Sequence, residues 1–440
     1  MFALHDQSPM LLTIEKLIYG GDGLARTPPD VDGRSMAVFV PFVLPGERVE
    51  AEIASGKAGF ARGSVAKLVE ASAERIAGAC AYYERCGGCH YQHIPYERQL
   101  QYKAGILRET LQRIAKIKLS PEIQLHASPP WNYRNRTRLQ VKTAPEFALG
   151  YFRFGSHEFL AVRECPISSP LINRVLARLT ELHGCECPAG IEEIELFADA
   201  ADERLLAWAF CGRDAAAAPL QRWAETVRRE VPSIVGMTFF PSRRRSEEEE
   251  PADMRPLAVS GASEILYKVQ SVEYRVSAGS FFQVNRHLVD DMVSTVTGNA
   301  EGELALDLYA GVGLFSVALA KKFHHIFAVE ASQTSYGDLV HNGQPNVRAV
   351  RARMEEFQRP SRQRPDLVVL DPPRAGVGKA VTRLLVELEV RRVQYVSCDP
   401  STLARDLVPL LAAGYRIEEA HLFDLFPQTF HIESVMLLAR

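Results

Sequence analysis

The 440-residue sequence predicts a multidomain α/β protein: a small N-terminal β-barrel of OB-like size, a mixed α/β central region and a C-terminal doubly wound, Rossmann-like domain. Three observations carry this. Short alternating strands, punctuated by Pro-Gly and Gly-Lys, run from about Leu11 to Glu70, the spacing of a small barrel. From about Val272 apolar strands alternate with amphipathic helices, the rhythm of a parallel sheet covered by helices. Within that rhythm one apolar strand runs into Asp307 and turns through Gly311 and Gly313 into a helix. The expected domains are 1–70, 71–270 and 271–440.

Composition sets the outer bounds. With 47% hydrophobic and 24% charged residues the chain reads as ordinary globular protein. No apolar run is long enough to span a bilayer, and "MFALHDQSPM" has neither a basic n-region nor an apolar h-region. A cytoplasmic monomer with no membrane partner is expected. The net charge of −3 gives no global attraction to nucleic acid, so an RNA partner would have to be held by local patches.

The barrel is followed by Cys80, Cys86 and Cys89 at C-x5-C-x2-C spacing, with Cys165 of "RECPIS" further along. In a reducing compartment clustered thiols read as metal ligands, and four of them can hold a [4Fe–4S] cluster or a zinc ion. The spacing leaves both open, and a metal-free reading beside them. Cys185 and Cys187 have no further ligands nearby and read as bystanders. Leu100, Ile106, Leu107, Leu111 and Ile114 have helical spacing. In the central region "NYRNRTRLQVKT" and "FALGYFRFGSHEFLAV" are strand-like and "SPLINRVLARLTEL" is helical. "NYRNRTR" interleaves an aromatic with three arginines, which suits phosphates and unpaired bases; a solvated strand face is the alternative. The charged, proline-flanked run 241–256 reads as a flexible loop.

In the C-terminal domain "HIFAVEAS" is a second strand ending in Glu330, a carboxylate placed to accept hydrogen bonds from both ribose hydroxyls of an adenosine ligand. Asp307 suits an amino group better than a pyrophosphate. Ser316 stands where a dinucleotide fingerprint would have its third glycine. The combination resembles class I S-adenosylmethionine (SAM) methyltransferases; a βαβ unit for another nucleotide is the alternative. In "LVVLDPPRAGVGKAV" the strand end carries Asp371 toward the same crevice. Arg374 follows the two prolines, where enzymes that methylate exocyclic nitrogens place an aromatic residue, which argues against nitrogen as acceptor.

"YVSCDPSTLARD" closes a strand and opens a helix. Asp399 can cap that helix, Pro400 suits its first turn, and Gly414 ends it after Leu403, Leu407, Leu410 and Leu411. Cys398 is thereby expected at a strand's carboxyl end and a helix's amino end. The helix dipole there favours a thiolate, while Asp399 opposes it. A buried structural thiol is the bland reading. In "FDLFPQTFHIESVMLLAR", Phe426 and Pro427 turn the chain, and His431 and Glu433 head the last strand. A thiolate, a carboxylate and a SAM pocket together fit methylation of C5 of a pyrimidine: sulfur adds at C6 to make C5 nucleophilic, and a base then removes the C5 proton.

The ordered motifs "SFFQVN", "LDLYAGVGLFS", "LDPPRAG", "YVSCDPSTLARD" and "FPQTFHIE" resemble the RNA uracil-5-methyltransferase family, in particular the bacterial 23S rRNA enzymes with an N-terminal TRAM domain and an iron–sulfur cluster. The resemblance implies Cys398 as nucleophile and Glu433 as general base. It implies SAM contacts at Gln283, Tyr309, Glu330 and Asp371, and a [4Fe–4S] cluster on Cys80, Cys86, Cys89 and Cys165. The substrate it implies is RNA, 23S rRNA ahead of tRNA; a non-catalytic RNA-binding protein keeping the fold is the rival. The chain departs from the family in having Asp399, not Asn, after the nucleophile.

Overall fold

The computed structural model describes residues 9–54, 59–182, 186–242, 255–354, 356–357 and 363–440. Cys185 and most of the 241–256 run lie outside these. Two compact units are present: Met1–Glu109 with Arg153–His157 and Phe426–His431, and Thr110–Phe152 with Glu158–Leu425 and Ile432–Arg440.

In the first unit β1 (Met10–Leu17), β2 (Asp22–Arg26), β3 (Ala37–Pro41), β4 (Arg48–Ile53) and β5 (Phe60–Glu70) close a barrel in the order β1-β2-β3-β5-β4. Alternation supplies its core: Leu12, Ile14, Val38, Val40, Val49 and Ala51 point inward. Buried Glu47 takes a bidentate pair from Arg75, at 2.6 and 2.8 Å, and the Leu44 and Ser72 amides. Those donors satisfy a carboxylate that burial alone would make costly. The helix read from the apolar spacing is α1 (Tyr96–Ala115). Leu100, Ile106, Leu107 and Leu111 are buried as expected, whereas Ile114 in the last turn is 42% exposed.

The second unit holds a seven-stranded sheet in the order β13-β12-β11-β10-β7-β8-β9. Its strands follow β6 (Ile123–His126) in the chain: β7 (Arg136–Lys142), β8 (Ala148–Phe152) and β9 (Phe159–Ala161), then β10 (Ile191–Ala198), β11 (Leu205–Cys211), β12 (Ile234–Pro241) and β13 (Ala258–Gly261). Helices α2 (Pro170–Glu181) and α3 (Ala217–Glu230) intervene. The Ser169 hydroxyl caps α2, and Pro170 stands in its first turn. A hairpin follows, β14 (Glu264–Val269) and β15 (Val272–Ser277).

Then comes the alternating domain: α4 (Val289–Thr297), β16 (Gly302–Leu308), α5 (Leu314–Leu319), β17 (Phe323–Glu330), α6 (Gln333–Asn342), β18 (Val347–Arg351), β19 (Leu367–Leu370), α7 (Gly378–Glu387), β20 (Arg392–Ser397), α8 (Pro400–Ala412), β21 (Arg416–Phe423) and β22 (Glu433–Ala439). They form an eight-stranded sheet, β18-β17-β16-β19-β20-β22-β21-β6, whose edge is supplied by the far-upstream β6. β16 to β20 are mutually parallel, and β22 runs antiparallel to β20 and β21. After β16 the chain moves outward to β17 and β18, then returns to β19 on the other side. That reversal opens a crevice at the carboxyl ends of β16 and β19. Among the described residues no helix is long and apolar enough to cross a membrane.

One buried carboxylate ties the hairpin to this sheet's helices. Asp338 of α6 is fully buried and accepts from the Ser277 amide and hydroxyl, the Ser280 hydroxyl and Arg275 Nε, at 2.7–2.8 Å. Asp338→Ala strands all four donors. We expect the unfolding midpoint of this unit in urea to fall by the equivalent of about 3 kcal/mol, the scale for removing one partner of a buried charged pair.

Candidate active site

Leu308 and Leu370 pair at the ends of β16 and β19, so the residues that follow them, Tyr309 and Asp371, flank the crevice. Tyr309 adopts φ +68, a left-handed conformation unusual for a side-chain-bearing residue, as the chain enters the glycine turn. Gly313 has φ +90, a backbone conformation that favours glycine, and a Cβ there would lie 2.8 Å from Leu339 Cδ1. Glu330 closes the turn: one oxygen accepts from the Gly311 amide at 2.8 Å and the other from the Ser332 amide at 2.7 Å.

Asp307 is fully buried, and one of its oxygens takes a short hydrogen bond from the Ser316 hydroxyl. That bond gives the residue in the third-glycine position its role. The other oxygen, Oδ1, has no partner among the described residues. Burial pushes the Asp307 carboxyl up to about 6. Across the crevice Gln283 Nε2 donates to Asp371 Oδ2 at 3.2 Å. Asp371 is raised to about 7, by burial and then by the charge of Asp307.

The nucleophile and base expected from the sequence meet through strand register. β22 pairs antiparallel with β20, Ser397 opposite Ser434. One step further the same register sets Cys398 opposite Glu433, where facing side chains lie on one side of the sheet. Cys398 leaves β20 half-buried, and Asp399 caps α8 by accepting from the Ser401 and Thr402 amides at 2.8 and 3.1 Å.

The expectation that the helix end lowers the thiol pKa is corrected. The Cys398 thiol is pushed up to about 12, first by burial, then by Glu433, Asp371 and Asp399, with Arg374 alone opposing. The physical reason is burial of the thiol among carboxylates, whose effect outweighs the single opposing guanidinium. Glu433 is also held well above its ordinary value, by burial and by Asp371, with Arg374 again opposing. This crevice is short of positive charge, so it favours a cationic ligand.

Several positioning residues were not legible in the sequence. Asp406 of α8 accepts from the Val377 amide and the Tyr395 hydroxyl, both at 2.9 Å, and Arg405 bonds the Ala375 carbonyl at 2.7 Å. Together they clamp the turn after Asp371. Gly376 in that turn has φ +73, and a Cβ would meet Asp406 Oδ2 at 2.4 Å. Asn285 of "SFFQVN" is fully buried and bonds Ser128 and the carbonyls of Asp424 and Leu425. In "NYRNRTR", Arg136 donates to the Ser280 carbonyl at 2.7 Å, just before Gln283. Arg136 and Arg138 also hold buried Glu195, whose carboxyl they keep low against the opposing effect of burial. These two arginines stack over Trp208 and Phe210. Their work is structural.

The thiols expected to bind metal belong to both units. Cys80 Sγ accepts the Tyr82 amide at 3.4 Å, and Cys86 forms a bridge to Arg153, in the first unit. Cys165, whose amide donates to Asn173 Oδ1 at 2.8 Å, belongs to the second. Among the described residues no group of three or more His, Cys, Asp or Glu is gathered to hold a metal ion.

A thiol raised to about 12 stays protonated in the free protein at neutral pH. With Cys398→Ser as the blank, alkylation of Cys398 by iodoacetamide should rise about tenfold per pH unit from pH 8 to 10, where an ordinary thiol of pKa near 8.5 levels off. A plateau near pH 9 would refute the raised value.

Comparison with known proteins gives one consistent result. Residues 263–440 match the family described as tRNA (Uracil-5-)-methyltransferase, and residues 8–66 match the TRAM domain. An uncharacterized RNA methyltransferase of Aquifex aeolicus is 33% identical over 438 residues, 98% of each chain. The 23S rRNA (uracil(1939)-C(5))-methyltransferase RlmD of Halomonas elongata is 32% identical over 97% of this chain and 89% of its own. The Pyrococcus abyssi tRNA (uracil-54, C5)-methyltransferase, solved in complex with S-adenosyl-L-homocysteine, superposes with a TM-score of 0.74 at 25% identity, covering 98% of this chain and all of that one. The chain therefore belongs to the TRAM-bearing RNA uracil-5-methyltransferase family.

Proposed function

We propose that this protein methylates C5 of a uridine in 23S rRNA, in the cytoplasm and as a monomer, using SAM as methyl donor. The observation that carries it is the register that sets Cys398 opposite Glu433 beside an acid-lined crevice. Gln283, Tyr309, Glu330 and Asp371 hold SAM. The Glu330 carboxylate, at the end of β17, would accept from ribose hydroxyls, and Asp307 Oδ1, without a partner among the described residues, would suit the amino group. Bound SAM supplies an electrophilic methyl group on a positively charged sulfur. A cation in the crevice lowers the pKa of the surrounding acids and the thiol, so Cys398 ionises in the loaded site and not in the free one.

The Cys398 thiol gives its proton to solvent, and Sγ bonds to C6 of the uracil, moving the C5–C6 electron pair into an enolate. C5 then takes the methyl group while the donor sulfur keeps the bonding pair. Glu433 removes the C5 proton, the C5–C6 double bond reforms, and the C6–S bond breaks to release Cys398. A carboxylate of raised pKa is suited to take a carbon-bound proton, because its conjugate acid is stable in place. The target uridine must be unstacked for Sγ to reach C6. The tRNA activity named for the Pyrococcus abyssi protein supports a second reading, the same chemistry on tRNA.

Cys398→Ala should abolish methyl transfer, and Glu433→Gln should accumulate an enzyme–RNA adduct stable to denaturing electrophoresis. RNA containing 5-fluorouracil should freeze the wild type covalently, since fluorine cannot leave as a proton. Near-normal turnover by Cys398→Ala would end the proposal. Mapping 5-methyluridine in RNA from a deletion strain separates 23S rRNA from tRNA.

We assign Cys80, Cys86, Cys89 and Cys165 as ligands of a [4Fe–4S] cluster. The donor set is wholly thiol, and the Tyr82 amide already donates to Cys80 Sγ, a bond that favours charged sulfur. Four thiolates leave no open iron, so the cluster's role is structural or RNA-positioning. Protein purified without oxygen should carry about four iron and four sulfide per chain, lost on serine substitution of any of the four. Stoichiometric zinc in place of iron would overturn the assignment.

A further inference from the structure

A cavity of about 670 Å³ opens at the other end of the eight-stranded sheet. Arg392, on its wall, begins β20, and Cys398 follows the last residue of that strand. The extended chain between them spans roughly 20 Å. Gln394 also lines the cavity. It is 5% exposed, and its Oε1 accepts no hydrogen bond among the described residues. An interior strand covered on both faces normally carries apolar residues, as at Val393 and Val396. A buried amide oxygen without a donor is costly, so this position is built for a ligand that donates.

The rest of the wall has a matching character. Lys321, Lys322 and Arg392 stand exposed at the mouth, and Lys321 and Arg392 have no carboxylate partner among the described residues. Lys322 reaches the Gly298 carbonyl. Glu418 presents an exposed carboxylate. His421 is fixed between Glu419 at 3.2 Å and His126 at 3.0 Å. A carboxamide for a base edge, cations for a phosphate and a carboxylate for ribose hydroxyls are the complements of one nucleotide.

We propose that this cavity is a second nucleotide-binding site, distinct from the methylation crevice, in which Gln394 reads a base edge and Lys321 and Arg392 hold the phosphate. The nucleotide comes either from an unpaired position of the RNA substrate or from a free mononucleotide. The inference takes from the proposed function only that the substrate is RNA.

The test uses the full chain as wild type, Gln394→Leu and the surface double variant Lys321→Glu/Arg392→Glu. Equilibrium dialysis with AMP, GMP, CMP and UMP is set beside binding of a single-stranded RNA carrying the substrate uridine at several salt concentrations. If the source is RNA, no mononucleotide binds saturably and both variants bind the RNA about tenfold more weakly. The double variant then loses about 0.7 of salt slope per phosphate contact removed, and the neutral Gln394→Leu keeps its slope. If the source is a free nucleotide, one of the four binds saturably to wild type and to neither variant. Either result supports the site, and single-turnover methylation at saturating RNA should be unchanged in both variants. Equal RNA affinity, equal salt slope and no mononucleotide binding in all three proteins would overturn it. Should Gln394→Leu not fold, the double variant decides alone. Loss of methylation in the wild type would strike the proposed function and leave these binding measurements readable.

Discussion

The antiparallel seam between β20 and β22 is the constraint on which the proposed chemistry of this protein depends. β20 ends at Ser397 and β22 begins at Glu433, and pairing of Ser397 with Ser434 sets Cys398 opposite Glu433. A slip of one residue would turn one of the two to the other face of the sheet. Register of this kind is held by burial: Val393, Tyr395, Val435 and Met436 are wholly buried along the seam. The hydrophobic core of the sheet therefore sets where Cys398 and Glu433 stand relative to each other, and the loops that lead to each have only to deliver the chain.

Around that seam the electrostatics run against ionisation in the free protein. Asp307, Asp371, Glu433 and Cys398 are all raised, and Arg374 is the one cation among the influences on Cys398 and Glu433. Such a site favours a positive ligand. A thiol that stays protonated while the crevice is empty is protected from stray alkylation and oxidation, which depend on thiolate. Beside Cys398, the first amides of α8 are capped by Asp399.

The scaffold spends buried polar groups on holding these parts still. Asp338 fixes the hairpin that leads to Gln283, Asn285 ties the same segment to the stretch before Glu433, and Asp406 clamps the turn after Asp371. Each is buried with donors or acceptors met by backbone or side chain, and such networks favour one arrangement over nearby alternatives. They sit outside the reacting shell but define where it stands.

Strand-helix alternation, the Gly-x-Gly turn, the capped start at Pro400 and the alternating barrel strands were legible in the amino-acid order, because each is written in local periodicity and turn chemistry. Cys398 and Glu433 were legible as candidates for the same reason: each stands at the border of an apolar run. Long-range pairing was not. That β6 would join the edge of the last sheet, that β22 would insert between β20 and β21, and that Arg136 would face Glu195 instead of solvent depend on which apolar faces meet. No short window of sequence records that choice. The thiol's raised pKa belongs to the same class, since it comes from burial and from charges brought near only by folding.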